Sequence, residues 1–166
     1  MLQTIEIVTK NFEAAMFSHV GMKRKQNQDS AGIFKELGLF VLADGMGGHQ
    51  GGEIASALCV EKVSEHFQKN PGDNTPLLLQ QSLLQANQAI HDRSHAEPQL
   101  RGMGTTSTII KLAPNTDLAH IAQVGDSRVY YWNSQGIWQL TQDHSLVQEK
   151  LRAGLITREQ TKTDEM

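Results

Sequence analysis

The fifteen residues LFVLADGMGGHQGGE, Leu39 to Glu53, place five apolar side chains before a single aspartate and then five glycines within the next eight positions. An apolar run of that length bounded by glycine reads as a buried strand, and it delivers Asp44 at its end. The glycines limit what the chain does next. A dinucleotide fingerprint needs G-x-G-x-x-G, but counted from Gly45 the third place holds Gln50, and counted from Gly47 the second holds His49. A phosphate-binding P-loop needs Lys and Ser or Thr after its last glycine, where this chain has Glu53. A calcium loop needs oxygen ligands at alternating positions after the aspartate, and these are missing. What remains is a backbone brought close to a ligand, with a carbonyl such as that of Gly45 turned toward it, before a helix that starts near Glu53.

A second aspartate belongs with the first. If NQDSAGIFKELGLFVLAD, Asn27 to Asp44, is a hairpin turning at KELG, Phe34 faces Leu39, Ile33 faces Phe40, Ala31 faces Leu42 and Asp29 faces Asp44. Like charges directly opposed on a sheet repel, and burial beside the strand pushes at least one toward its neutral form. A bound cation removes both costs. Carboxylate oxygens with no thiolate nearby suit Mg²⁺ or Mn²⁺. Each aspartate alone reads as an ordinary turn or cap residue; the mirrored pair followed by glycines does not.

The rest of the chain supplies the frame. Strand-like runs at Ile5–Val8, Met16–Val20, Ala31–Phe34 and Leu39–Ala43 precede two helices. The first carries Ile54, Ala57, Leu58, Val60, Val63 and Phe67 on one face, and the second starts with Thr75 as N-cap and Pro76 in its first turn. Strands return at 104–113, 118–126, RVYYW and IWQLT, with NSQG as a hairpin turn. Ser145 and Gln148 have capping-box spacing before a short helix that stops at Gly154, and Thr157 to Gln160 announce another that is then cut short. Strands, helices and strands again do not alternate as βαβ units do, so an antiparallel α+β arrangement is expected.

Composition narrows the functional classes. At 166 residues, 39% hydrophobic and 20% charged, the chain suits one globular domain, residues 1–166. A formal charge of -3 without a basic block argues against nucleic acid or an anionic membrane as partner. The N-terminus lacks an export signal and no stretch is long enough to span a bilayer, so a cytoplasmic location is expected. The single cysteine, Cys59, excludes an internal disulfide and a cysteine-based zinc cluster, and is expected to pack on a helix.

Five blocks, GMKRKQNQD (Gly21–Asp29), LADGMGGHQGGEIAS (Leu42–Ser56), MGTT (Met103–Thr106), VGDSRVY (Val124–Tyr130) and LTQDHSLV (Leu140–Val147), follow the order and approximate spacing of a known family. The chain resembles the PPM-type, or type 2C, metal-dependent protein serine/threonine phosphatases, in the form found in their bacterial branch. The resemblance implies a β-sandwich of two antiparallel sheets flanked by helices, with two Mn²⁺ or Mg²⁺ ions at one end. It implies that Asp29 and Asp44 are metal ligands, that Gly45 offers its backbone carbonyl, and that Asp126 contributes to a third, weaker metal site. Arg24 stands where the family holds the substrate phosphate, and His49 where it has a histidine implicated in protonating the leaving group. Asp143 to Ser145 also match, although capping of the following helix explains them most simply. Gln28 departs from the glutamate the family often has. The family's later S-D-G and D-N blocks, whose aspartates complete its metal cage, do not occur before Met166, so the domain is expected to be C-terminally truncated.

The function implied is hydrolysis of phosphoserine and phosphothreonine in proteins, opposing a protein kinase, with this short form nearly inactive alone. Two other classes compete. One is a serine esterase, since GDS at Gly125–Ser127 resembles a nucleophile block; Val129 spoils G-x-S-x-G, and Asp143 and His144 are adjacent rather than spaced as a triad arm. The other is a non-catalytic phosphatase-like module that binds phosphoproteins or a partner.

Overall fold

The computed structural model describes residues 3–8, 12–72, 74–113, 116–157 and 159–162. The chain divides into two compact units, Met1–Gln123 and Val124–Met166. In the first, β1 (Gln3–Val8) and β2 (Glu13–Ser18) form an antiparallel hairpin. A five-stranded sheet is built from β3 (Asp29–Phe34), β4 (Leu39–Met46), β5 (Gly104–Thr105), β6 (Ser107–Leu112) and β7 (Ala119–Val124), in the order β3-β4-β6-β7 with β5 also on β4. The β3–β4, β4–β5 and β4–β6 pairings are antiparallel. Two helices, α1 (Gly48–Lys69) and α2 (Thr75–Ala96), complete the unit. The result is a mixed α+β fold of antiparallel sheets and helices.

Strand β4 organises this unit because its side chains alternate. Leu39, Val41 and Ala43 are buried in one core with Cys59, Val63 and Phe67 of α1, Leu79 and Ala86 of α2, and Ile109 of β6. Full burial of residues such as Leu39, Val63 and Ile109 stabilises the fold by about 1.5–3 kcal/mol each. The alternate positions, Phe40, Leu42 and Asp44, lie on the other face, where the Phe40 ring meets Phe12 edge-on at 5.4 Å. Cys59 packs as a small apolar residue, and burial pushes its thiol pKa up.

Three sequence expectations shift. Helix α1 begins at Gly48, not near Glu53, so three of the glycines read as loop, Gly48, Gly51 and Gly52, lie inside its first two turns. Ala57 points to solvent, while Ala55 and Cys59 are buried, because the helix face against the sheet is rotated from the one the apolar residues suggested. The N-cap of α2 is Asn74, whose Oδ1 accepts the Leu77 N–H at 3.3 Å; Thr75 is the first helical residue and is buried.

The second unit holds the hairpin of β8 (Tyr130–Asn133) and β9 (Gly136–Gln139), then α3 (Leu146–Arg152). The expected turn is there: Asn133 pairs with Gly136, and the Asn133 Oδ1 accepts the Gln135 N–H at 2.8 Å. Ser145 caps α3 by accepting the Gln148 N–H, and Gly154 at φ 70° follows the helix. Thr157 and Gln160 form the reciprocal capping box their spacing announces, with bonds of 2.7 and 3.3 Å, and lead into a 3-10 turn at Gln160–Lys162. Among the described residues no helix is long and apolar enough to cross a membrane.

Candidate metal centre

Strands β3 and β4 pair in the register read from the sequence, Phe34 with Leu39 through Asp29 with Asp44, across a 3-10 turn at Lys35–Leu37 closed by Gly38 at φ 53°. The two carboxylates therefore share the end of the ladder, on the sheet face turned away from α1. The Asp29 carboxyl is held above the ordinary carboxylate range, first by partial burial and then by the charge of Asp44 and a hydrogen bond with its side chain. The Arg24 guanidinium, on the exposed loop before β3, pulls in the opposite direction.

The backbone beneath the pair is fixed from three sides. Thr106 Oγ1 accepts the Asp44 N–H at 2.9 Å, while the Asp44 carbonyl accepts from the Thr106 N–H at 2.9 Å and the Thr105 hydroxyl at 3.0 Å. These bonds also explain why the strand expected over 104–113 breaks into β5 and β6 around Thr106. On the other side, the Gln28 carbonyl accepts both the Gly45 N–H at 3.1 Å and the hydroxyl of the fully buried Ser56 at 2.6 Å. Gln28 thus supports the strand end through its backbone carbonyl.

The glycines owe their presence to contact between α1 and the strand end. A Cβ on Gly45 would fall on the Gly52 carbonyl, and one on Gly52 would sit 2.8 Å from both the Gln28 Cδ and the Gly45 carbonyl carbon. Gly47, the residue before α1, has φ 133°, and its Cβ would lie 2.6 Å from the Met103 Cα. The glycine run is therefore a packing surface that seats the start of a helix against β4 and the MGTT segment. Sequence reasoning singled out that segment without a role; Thr105, Thr106 and Ser56 carried no distinguishing signal beyond their type.

The other predicted residues are distributed as follows. His49 occupies the first turn of α1, and its side chain lies outside what the structure describes. Asp126 stands exposed on the bend after β7, in the second unit. Asp143 does not cap α3. Its carboxylate takes a bidentate pair from Arg128, at 2.9 Å to Nε and 2.6 Å to Nη2, which holds its pKa below the usual carboxylate range. His144 Nδ1 accepts the Gly125 N–H at 3.3 Å, so neither residue makes the Asp–His arm a serine esterase requires. Among the described residues no group of three or more His, Cys, Asp or Glu converges as a complete metal cage.

A model of the protein phosphatase 2C family matches residues 19–151. The chain belongs to that family. Serine/threonine phosphatase stp of Listeria monocytogenes is 36% identical over 146 residues, covering 84% of this chain and 57% of the relative. Serine/threonine protein phosphatase PstP of Mycobacterium tuberculosis is 38% identical over 154 residues, covering 92% of this chain and 29% of PstP. The crystal structure of M. tuberculosis PstP superposes with a TM-score of 0.78 at 33% identity, covering 96% of this chain and 62% of that one. A PstP catalytic domain solved in complex with two manganese ions gives a TM-score of 0.76 at 31% identity, covering 99% of this chain and 69% of that one. This protein phosphatase 2C chain therefore spans a little over half the length of the Listeria relative.

Proposed function

We propose that this chain carries part of the machinery for metal-dependent hydrolysis of phosphoserine and phosphothreonine in proteins, in opposition to a protein kinase. The observation that carries the reading is the opposed Asp29–Asp44 pair at the end of β3 and β4, inside the segment matched by the family. Two carboxylates and a backbone carbonyl are hard oxygen donors, and the raised pKa of Asp29 marks a place where positive charge is wanted. Mn²⁺ or Mg²⁺ fits that donor set. Asp29, Asp44 and the carbonyl of Gly45 would hold it, and Asp126 would serve a third ion. The chemistry a divalent pair supplies when bound is Lewis acidity toward water and toward the phosphoryl oxygens. Arg24 binds the phosphate through its bidentate fork, aided by a charge already felt at Asp29. His49 delivers a proton to the departing serine or threonine oxygen.

Residues 1–166 are read as one incomplete phosphatase domain, whose full form is a two-sheet sandwich. The apolar face that carries Phe40 and the half-exposed Leu42 supports that reading, since a single sheet does not cover it. Because only Asp29, Asp44 and Asp126 supply matching carboxylates, the chain by itself holds metal weakly and turns over slowly. The Asp29–Asp44 pair with Arg24 beside it also fits a second reading, a phosphoprotein-binding module without catalysis.

Calorimetric titration with Mn²⁺, run beside phosphopeptide hydrolysis, tests the proposal on this chain, on Asp44→Asn and on a chain extended through the family's later blocks. Mn²⁺ binding lost in Asp44→Asn and turnover gained on extension is the expected result. Mn²⁺ binding that survives Asp44→Asn sinks the assignment, and phosphopeptide binding without turnover in the extended chain favours the module.

A further inference from the structure

Near the end of α2, far in sequence from the aspartate pair, the segment IHDRSHA puts His91 and His95 one helical turn apart on an exposed face. Their rings lie 4.1 Å apart between centroids, tilted by 33°. His95 Nδ1 is 2.9 Å from the His91 carbonyl oxygen, which only accepts, so Nδ1 carries the proton. His91 Nδ1 faces the Asp92 carboxylate at 3.5 Å, an electrostatic contact longer than a good hydrogen bond. Asp92 is itself steadied by Gln88, whose Nε2 donates to it at 2.7 Å. The Nε2 lone pair of His95 is therefore left available, with an oxygen acceptor behind the ring as in imidazoles oriented for metal, and on His91 the nitrogen away from Asp92 can join it.

From this geometry we infer that His91 and His95 form a second metal site, a bis-imidazole chelate for a borderline transition ion, separate from the carboxylate pair. Nitrogens each about 2.0–2.1 Å from one ion lie no more than about 4.2 Å apart, a span that rings this close reach by small rotations. Water fills the remaining positions. Imidazole nitrogen and the Irving–Williams order select Cu²⁺ first, then Ni²⁺ and Zn²⁺, over the Mn²⁺ or Mg²⁺ that suits Asp29 and Asp44. One chain thus sorts ions by donor type at two places. Occupancy ties the last turn of α2 to the turn before it and favours the folded state.

The test titrates the full chain with CuCl₂, following calorimetry, the nitrogen hyperfine pattern of the Cu²⁺ electron paramagnetic resonance spectrum and the far-UV circular dichroism melt. The wild type should bind one Cu²⁺ through two nitrogens and melt higher. His91→Gln and His95→Gln, both at exposed positions, should each weaken binding by about a hundredfold as the chelate is lost. Asp44→Asn should bind Cu²⁺ as the wild type does. The inference is overturned if His91→Gln/His95→Gln retains the wild-type affinity and two-nitrogen spectrum, or if Asp44→Asn abolishes both.

Discussion

The two units hold themselves together by different means. Among the described residues, every buried apolar side chain lies between Leu39 and Ile109, in the first unit. Among the described residues beyond Gln123 the one buried residue is Thr141, whose hydroxyl accepts the Val129 N–H at 3.0 Å, and Tyr130, Tyr131, Trp132, Ile137 and Trp138 are all substantially exposed. Polar ties do the work there instead: Arg128 to Asp143, and Gly125 to His144 in both directions. A core resists by the area it removes from water, whereas a polar network resists only while each partner stays charged and positioned.

The largest contrast is expected from paired truncations. Ile109→Ala, at a fully buried site, should lower unfolding free energy by about 2–5 kcal/mol in urea titrations followed by far-UV circular dichroism. Trp132→Ala, at a side chain 76% exposed, should stay within about 0.5 kcal/mol. Equal losses would erase the distinction between the units. Arg128→Ala should cost about 1 kcal/mol near neutral pH, since nearly half of the Arg128 side chain is already exposed. Because the Asp143 pKa is lowered by Arg128, that contribution is present above the ordinary carboxylate range and disappears as pH falls through the folded value. Stability curves of the two proteins should therefore converge in acid; a gap that persists there would show that Arg128 acts through packing. The smallest effect concerns the carboxylate pair. Asp29→Asn should raise the melting free energy of the metal-free protein by roughly 0.2–1 kcal/mol by removing a like charge opposite Asp44. Melts in EDTA check the gain, and no gain would mean that the pair is already neutralised by Arg24.

What the sequence disclosed divides along the same line. The β3–β4 register was legible because alternation along β4 and the position of Gly38 leave few other ways to bury Leu39, Val41 and Ala43. The pairing of Asp29 with Asp44 followed from that register. The start of α1 was not legible, because glycine is a poor helix former and its use here is decided by Gln28 and Met103, which reach the helix only after folding. The same reason hid the clamp of Thr105 and Thr106 on Asp44 and the Arg128–Asp143 pair, which joins residues fifteen apart. Local capping was easier: Ser145, Thr157 and Gln160 bond within a few residues of themselves.

Both tryptophans of the chain, Trp132 and Trp138, sit on the β8–β9 hairpin. Intrinsic tryptophan emission is thus an optical label on the second unit alone. A fluorescence melt and a circular dichroism melt of this protein are two different measurements, and their separation along the temperature axis gauges how far the two units unfold as one.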